Sequence, residues 1–181
     1  MRRVNAILTA VILLLFLLHA ILGSFQLIGV GSTAVKGVAW AAAVLILIHT
    51  AIGVKYTADA LRVWKKTGVG YFRENRLFWA RRVSGLAVMV LMFFHFTAFG
   101  DSSGSVYRLK YFGTAKLTAQ LLLAAALALH VLTNVKPLLI SFGIRSLRPR
   151  AADMLLVLSV LMLFFAAAFL VYYLRWNRIG I

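Results

Sequence analysis

The sequence predicts an all-α integral membrane bundle of five transmembrane helices, forming one domain over residues 1–181. Three observations lead there. Hydrophobic residues make up 63% of the chain and charged residues 13%. A soluble domain has about 45–50% and about 25%, so this excess of apolar surface calls for lipid as the solvent. Five apolar runs stand out, roughly 4–23, 36–56, 82–100, 114–140 and 152–174. Each has the ~20 residues that cross about 30 Å of hydrocarbon at 1.5 Å per residue. The chain has two prolines, Pro137 and Pro149, both in one short stretch, so long helices are permitted elsewhere. Helices are the open-ended solution in lipid because they satisfy every backbone polar group internally.

The first run follows Arg2 and Arg3 and superficially resembles a secretory leader. It is too long for one and has no small-x-small cleavage pattern before Ser24, so a retained helix is expected. The second run is followed by the longest connection, 55–82, which is basic and contains Trp64, Tyr71, Phe72, Phe78 and Trp79. That composition suits a loop lying on lipid headgroups, and also a docking surface for a soluble partner. The third run starts at Arg82. The fifth ends in Tyr172, Tyr173 and Trp176, expected as an interfacial aromatic belt.

The formal charge of +16 would suit nucleic-acid binding in a soluble chain. Here the basic residues lie between apolar runs, so the expectation is no nucleic acid. Fourteen Lys and Arg fall on the side of the N-terminus and the 55–82 connection, and six on the other. The positive-inside rule then puts the N-terminus in the cytoplasm and the C-terminus outside, in the cell (inner) membrane. Cysteine is absent, which excludes disulfides, thiolate ligands for an iron–sulfur cluster and covalent c-type haem attachment.

The four histidines, His19, His49, His95 and His130, lie one on each of the first four runs. A single histidine at membrane depth is more often a packing or hydrogen-bonding residue than a ligand. Four, each inside a span, ask for a functional explanation. From Arg3, His19 is about 24 Å up its helix, and from Arg82, His95 is about 20 Å up. His49 and His130 are each about 9 Å from Lys55 and Lys136. The histidines therefore fall into two layers about 11–15 Å apart: His49 with His130, and His19 with His95. Two layers of two imidazoles suit two bis-histidine b haems between facing helices. Zinc would want three or four ligands at one depth. A proton pump would want carboxylates within the spans, whereas Asp59, Glu74, Asp101 and Asp153 lie at or beyond span ends.

Ala41–Ala43 before His49 and Ala124–Ala126 before His130 would let helices or a flat macrocycle approach closely. His49–Lys55 faintly parallels His130–Lys136, which suggests two related helical hairpins. Haem propionates need cationic or hydroxyl partners. Arg81, Arg82, Ser84 and Lys136 are available near the inner layer. Ser24, Gln26, Tyr107, Arg108, Lys110 and Lys116 are available near the outer one.

The stretch Arg82-Val83-Ser84-Gly85 resembles the Arg-x-Ser-Gly signature of the cytochrome b subunits of succinate dehydrogenase and fumarate reductase. His130–Lys136 resembles their haem-ligand helix. Five helices with a histidine on each of the first four resembles the single-subunit, two-haem class of these anchors. The resemblance implies two haem b groups, the proximal one on His49 and His130 and the distal one on His19 and His95. It also implies that Arg82 and Ser84 contact the proximal haem or quinone. The partners it implies are an iron–sulfur subunit and a flavoprotein subunit at the cytoplasmic face, with membrane quinone as the other substrate. The chain itself would conduct electrons without acting on succinate or fumarate. It departs from the class in its short loops and termini, and in lacking the buried helix glutamates of some quinol-oxidising relatives. Two other functions share the histidine pattern: a two-haem conduit for a different soluble oxidoreductase, and a metal or haem transporter.

Overall fold

The computed structural model describes residues 2–28, 35–68, 76–99, 101–103, 106–108, 111–144 and 147–177. Among the described residues, five helices follow in order: α1 (Arg2–Leu27), α2 (Val35–Thr67), α3 (Arg76–Ala98), α4 (Thr114–Ser141) and α5 (Leu147–Asn177). All five are long and apolar enough to cross a membrane. Between α3 and α4, strand β1 (Asp101–Ser103) pairs antiparallel with β2 (Val106–Arg108), Asp101 opposite Arg108. Tyr71, Phe72, Arg73 and Glu74 lie outside the described residues, and so do the side chains of Tyr107, Arg108 and Lys110.

Helices α2 and α3 extend well beyond their apolar runs. α2 continues through Lys55 to Thr67, so its 33 residues reach about 50 Å, well beyond an apolar core of about 30 Å. α3 starts at Arg76, so Arg82 sits inside the helix instead of opening it. Helix therefore covers 55–67 and 76–82 of the expected loop. The physical reason is that hydropathy marks only the lipid-matched part of a helix, while backbone hydrogen bonding continues through polar residues. In the α2 extension, Asp59 pairs with Arg62 at 3.4 Å, and Lys65 and Lys66 lie at the negative end of the helix dipole. Gly68, at φ 63°, stops the helix while its N–H reaches Trp64 O at 3.0 Å. α4 ends in a Schellman motif: Gly143 (φ 76°) donates to Ile140 O at 3.0 Å and Ile144 donates to Leu139 O at 3.2 Å.

α1 packs along α2, α3 along α4, and α1 against α4, while α2 meets α3 only sparsely. These contacts close a four-helix core in which α1 faces α3, and α2 faces α4, across the diagonals. α5 lies outside it, against α4 and α1. It buries one stripe, Leu158, Met162, Phe165, Ala168 and Tyr172, at helical spacing. Its other face is bare, with Leu163 71% exposed, and Leu86 and Phe93 are similarly open on α3. Such surface suits contact with hydrocarbon.

One end of the bundle is closed by an aromatic plug. Leu27, Ala98, Phe112, Ala168 and Tyr172 form a buried cluster, with Phe99, Phe169 and Trp176 packed on it. Tyr172 is 1% exposed, so it belongs to the protein interior and not to the expected lipid-interface belt. The reason is azimuth: position 172 continues the buried stripe of α5, whereas Tyr173 and Trp176 remain half-buried. Arg175 donates to Leu27 O at 3.3 Å and Asn177 to Phe112 O at 3.0 Å, tying the same end together.

Candidate functional site: two imidazole pairs in the bundle

The diagonals of the core bring the histidines together two by two. The rings of His19 (α1) and His95 (α3) lie 5.9 Å apart, centre to centre, with planes at 79°. Those of His49 (α2) and His130 (α4) lie 6.4 Å apart, at 81°. Imidazole nitrogen binds a first-row metal at about 2.0–2.1 Å and lies about 1.1 Å from its ring centre, so two rings on opposite sides of one ion stand about 6.3 Å apart. The His49–His130 pair has that spacing, and the His19–His95 pair is slightly closer. Edge-to-face ring contact also falls in this range. Among the described residues, no three His, Cys, Asp or Glu converge as a metal-binding group.

Each pair has one anchored and one unanchored ring. His130 Nδ1 lies 3.1 Å from Arg81 O and 3.3 Å from Ser84 Oγ, while the Ser84 hydroxyl donates to Arg81 O at 3.2 Å. A proton on Nδ1 is thus shared between two oxygens, and Nε2 is left to coordinate. His95 Nδ1 lies 2.8 Å from Gln120 Oε1. The Nδ1 atoms of His19 and His49, in the first hairpin, are buried without a hydrogen-bond partner. The expected kinship of the two hairpins does not extend to these anchors.

The Arg82–Gly85 segment acts as a joint between three helices. Arg82 Nη1 donates to Gly53 O of α2 at 3.2 Å, and its guanidinium carbon lies 5.0 Å from the centre of the Phe78 ring. Ser84, 2% exposed, faces His130, and Val83 points outward. A Cβ on Gly85 would stand 3.1 Å from His130 Cε1 and 3.3 Å from Nδ1, so the absence of a side chain is what lets this imidazole in. Arg82 Nε is buried with no partner. A guanidinium N–H left bare inside an apolar bundle fits an anionic group that the protein does not itself provide.

Arg81 has a different task. Pro137 lies inside α4 and has no N–H for the carbonyl four residues back. That carbonyl, Thr133 O, receives Arg81 Nε at 3.0 Å. One basic side chain thus repairs the helix a turn from His130 and also pins α3 to α4.

Of the outer candidates, Ser24 is buried at 5% exposure, and Lys116 donates to Tyr111 O at 2.7 Å. Gln120 was not among the sequence candidates, yet it is fully buried and holds His95. Its signal in the sequence was a lone amide in the apolar stretch Leu117–Val131, ten residues and so about 15 Å above His130.

No family model, curated protein or solved structure matches this chain.

Proposed function

We propose that the chain is the membrane-anchor cytochrome b subunit of a succinate:quinone oxidoreductase or fumarate reductase, carrying electrons through two bis-histidine haems. The observation that carries the haem reading is the pair of diagonal imidazole contacts at 5.9 and 6.4 Å, on helices long and apolar enough to span a membrane. His49 and His130 would hold the inner group, with the bare Nε of Arg82 directed to a propionate. His19 and His95 would hold the outer one. When bound, each haem supplies a one-electron iron couple with two nitrogen ligands. The protein orients the ligands through Arg81, Ser84 and Gln120. It excludes water from the outer pair with the Phe99–Phe112–Tyr172 plug, whose Phe99 ring lies 5.3 Å from that of His95.

The N-terminus is assigned to the cytoplasm of the inner membrane on the distribution of basic residues. The extension of α2, with exposed Arg62, Lys65 and Lys66, then faces the iron–sulfur and flavoprotein partners. Membrane quinone is the second substrate. The choice of succinate or fumarate rests on Arg82–Gly85 and the helix layout alone; the same imidazole geometry serves a conduit for another soluble oxidoreductase. A reduced-minus-oxidised spectrum of the purified chain tests the haem reading, with two low-spin b-type haems per chain expected. Colourless protein refutes it. Co-purification of a flavoprotein with succinate or fumarate activity tests the partner.

A further inference from the structure

We infer that Gln120 is the positioning residue of the outer pair, its side-chain oxygen setting the tautomer and ring plane of His95. The inference rests on the two-haem reading and deepens it.

For His95 Nε2 to offer a lone pair, the ring proton must sit on Nδ1, and Nδ1–H then needs an acceptor. The oxygen of Gln120 stands 2.8 Å away. Of the two ends of a glutamine amide, only the oxygen accepts. Turned over, the amide would present a donor, drive the ring proton to Nε2 and disable the ligand. The inner pair meets the same requirement with a backbone carbonyl, Arg81 O, and the Ser84 hydroxyl. The outer pair relies on a side chain. His19, across the pair, has no partner at Nδ1, so the hydrogen-bonded anchoring of this layer passes through Gln120.

Simple packing does not account for the residue. Gln120 is 0% exposed, and its Nε2 is buried with no partner. Leucine would fill similar space without burying an unsatisfied donor. The oxygen is what the site uses.

A hydrogen bond from Nδ1 makes an imidazole a stronger donor to iron and so favours the oxidised state. In the full-length protein, Gln120→Leu is expected to raise the reduced-to-oxidised ratio of the outer centre about tenfold at fixed potential, ~59 mV for one electron. Gln120→Glu, which keeps an acceptor and adds charge, is expected to shift it the opposite way. The inner centre should hold its potential in both. Potentiometric titration followed optically and by electron paramagnetic resonance reads these shifts. Equal shifts in both variants, or none, overturn the inference, because loss of packing alone would not distinguish them. Nitrogen NMR of the histidine rings in the haem-free chain gives an independent readout. His95 protonated at Nδ1 in the parent and no longer so in Gln120→Leu supports the inference, and His95 protonated at Nε2 in the parent overturns it. A chain that binds no haem yet shows the Nδ1 tautomer refutes the two-haem reading and leaves the positioning role standing.

Discussion

Two glycines that look equivalent in the sequence are expected to respond differently to one added methyl group. Gly53 and Gly85 both lie in helices beside the inner pair. A Cβ on Gly53 would rest 3.4 Å from Arg82 Nη1, an ordinary contact with the end of a flexible side chain. A Cβ on Gly85 would stand 3.1 Å from His130 Cε1, so that ring must give way. The ring is held through Nδ1 to Arg81 O at 3.1 Å and Ser84 Oγ at 3.3 Å. The ring need give by only a few tenths of an ångström, so the cost at the site reaches about 3 kcal/mol at most, taking about 0.5–1.5 kcal/mol for each hydrogen bond lost. At 1.4 kcal/mol per tenfold, haem affinity at the inner site falls by up to roughly 100-fold. Replacing a helical glycine by alanine meanwhile stabilises the helix by about 0.5–1 kcal/mol. Gly85→Ala should therefore hold the inner haem more weakly while the unfolding of the haem-free chain changes little, and Gly53→Ala should keep both haems. The assay is haem content by pyridine haemochrome, together with the difference spectrum and a melting curve in detergent. Equal loss in the two variants, or an inner haem that Gly85→Ala holds as tightly as the parent does, would refute the close approach of Gly85 to His130.

The remaining expectations concern pairing and packing. His19→Ala and His95→Ala should abolish one redox centre, and His49→Ala and His130→Ala the other; low-temperature difference spectra that group the variants otherwise would sink the diagonal pairing. Arg81→Leu should cost about 1–3 kcal/mol by leaving the Thr133 carbonyl bare. It should cost much less alongside Pro137→Ala, which restores a backbone donor, so a double-mutant cycle that is additive in unfolding free energy counts against the repair. Tyr172→Ala should destabilise by about 3–5 kcal/mol through the cavity left in the plug. Leu163→Ala, on the bare face of α5, should stay close to neutral, and comparable melting temperatures for these two variants would argue against the buried stripe.

Much of the architecture was legible in the amino-acid order because it depends on local chemistry. Apolar runs long enough for a bilayer mark helices whatever packs beside them, and a rise of 1.5 Å per residue turns residue numbers into heights. The five apolar runs thus yielded five helices, and the heights of His19, His49, His95 and His130 gave two layers. Helix ends were misjudged where the helix outlasts its apolar part, as in α2 beyond Lys55 and α3 before Arg82.

What only the tertiary structure decided is everything that depends on azimuth and on which helices are neighbours. Tyr172 turns into the plug and not toward lipid because its position continues the buried stripe of α5. Gln120 becomes the anchor of His95 because α3 and α4 pack side by side. The roles of Arg81 and Gly85 are equally non-local: one answers a proline 56 positions away and the other an imidazole 45 positions away. Height along a helix follows from counting, whereas direction around it acquires meaning only when a second helix is there to be met.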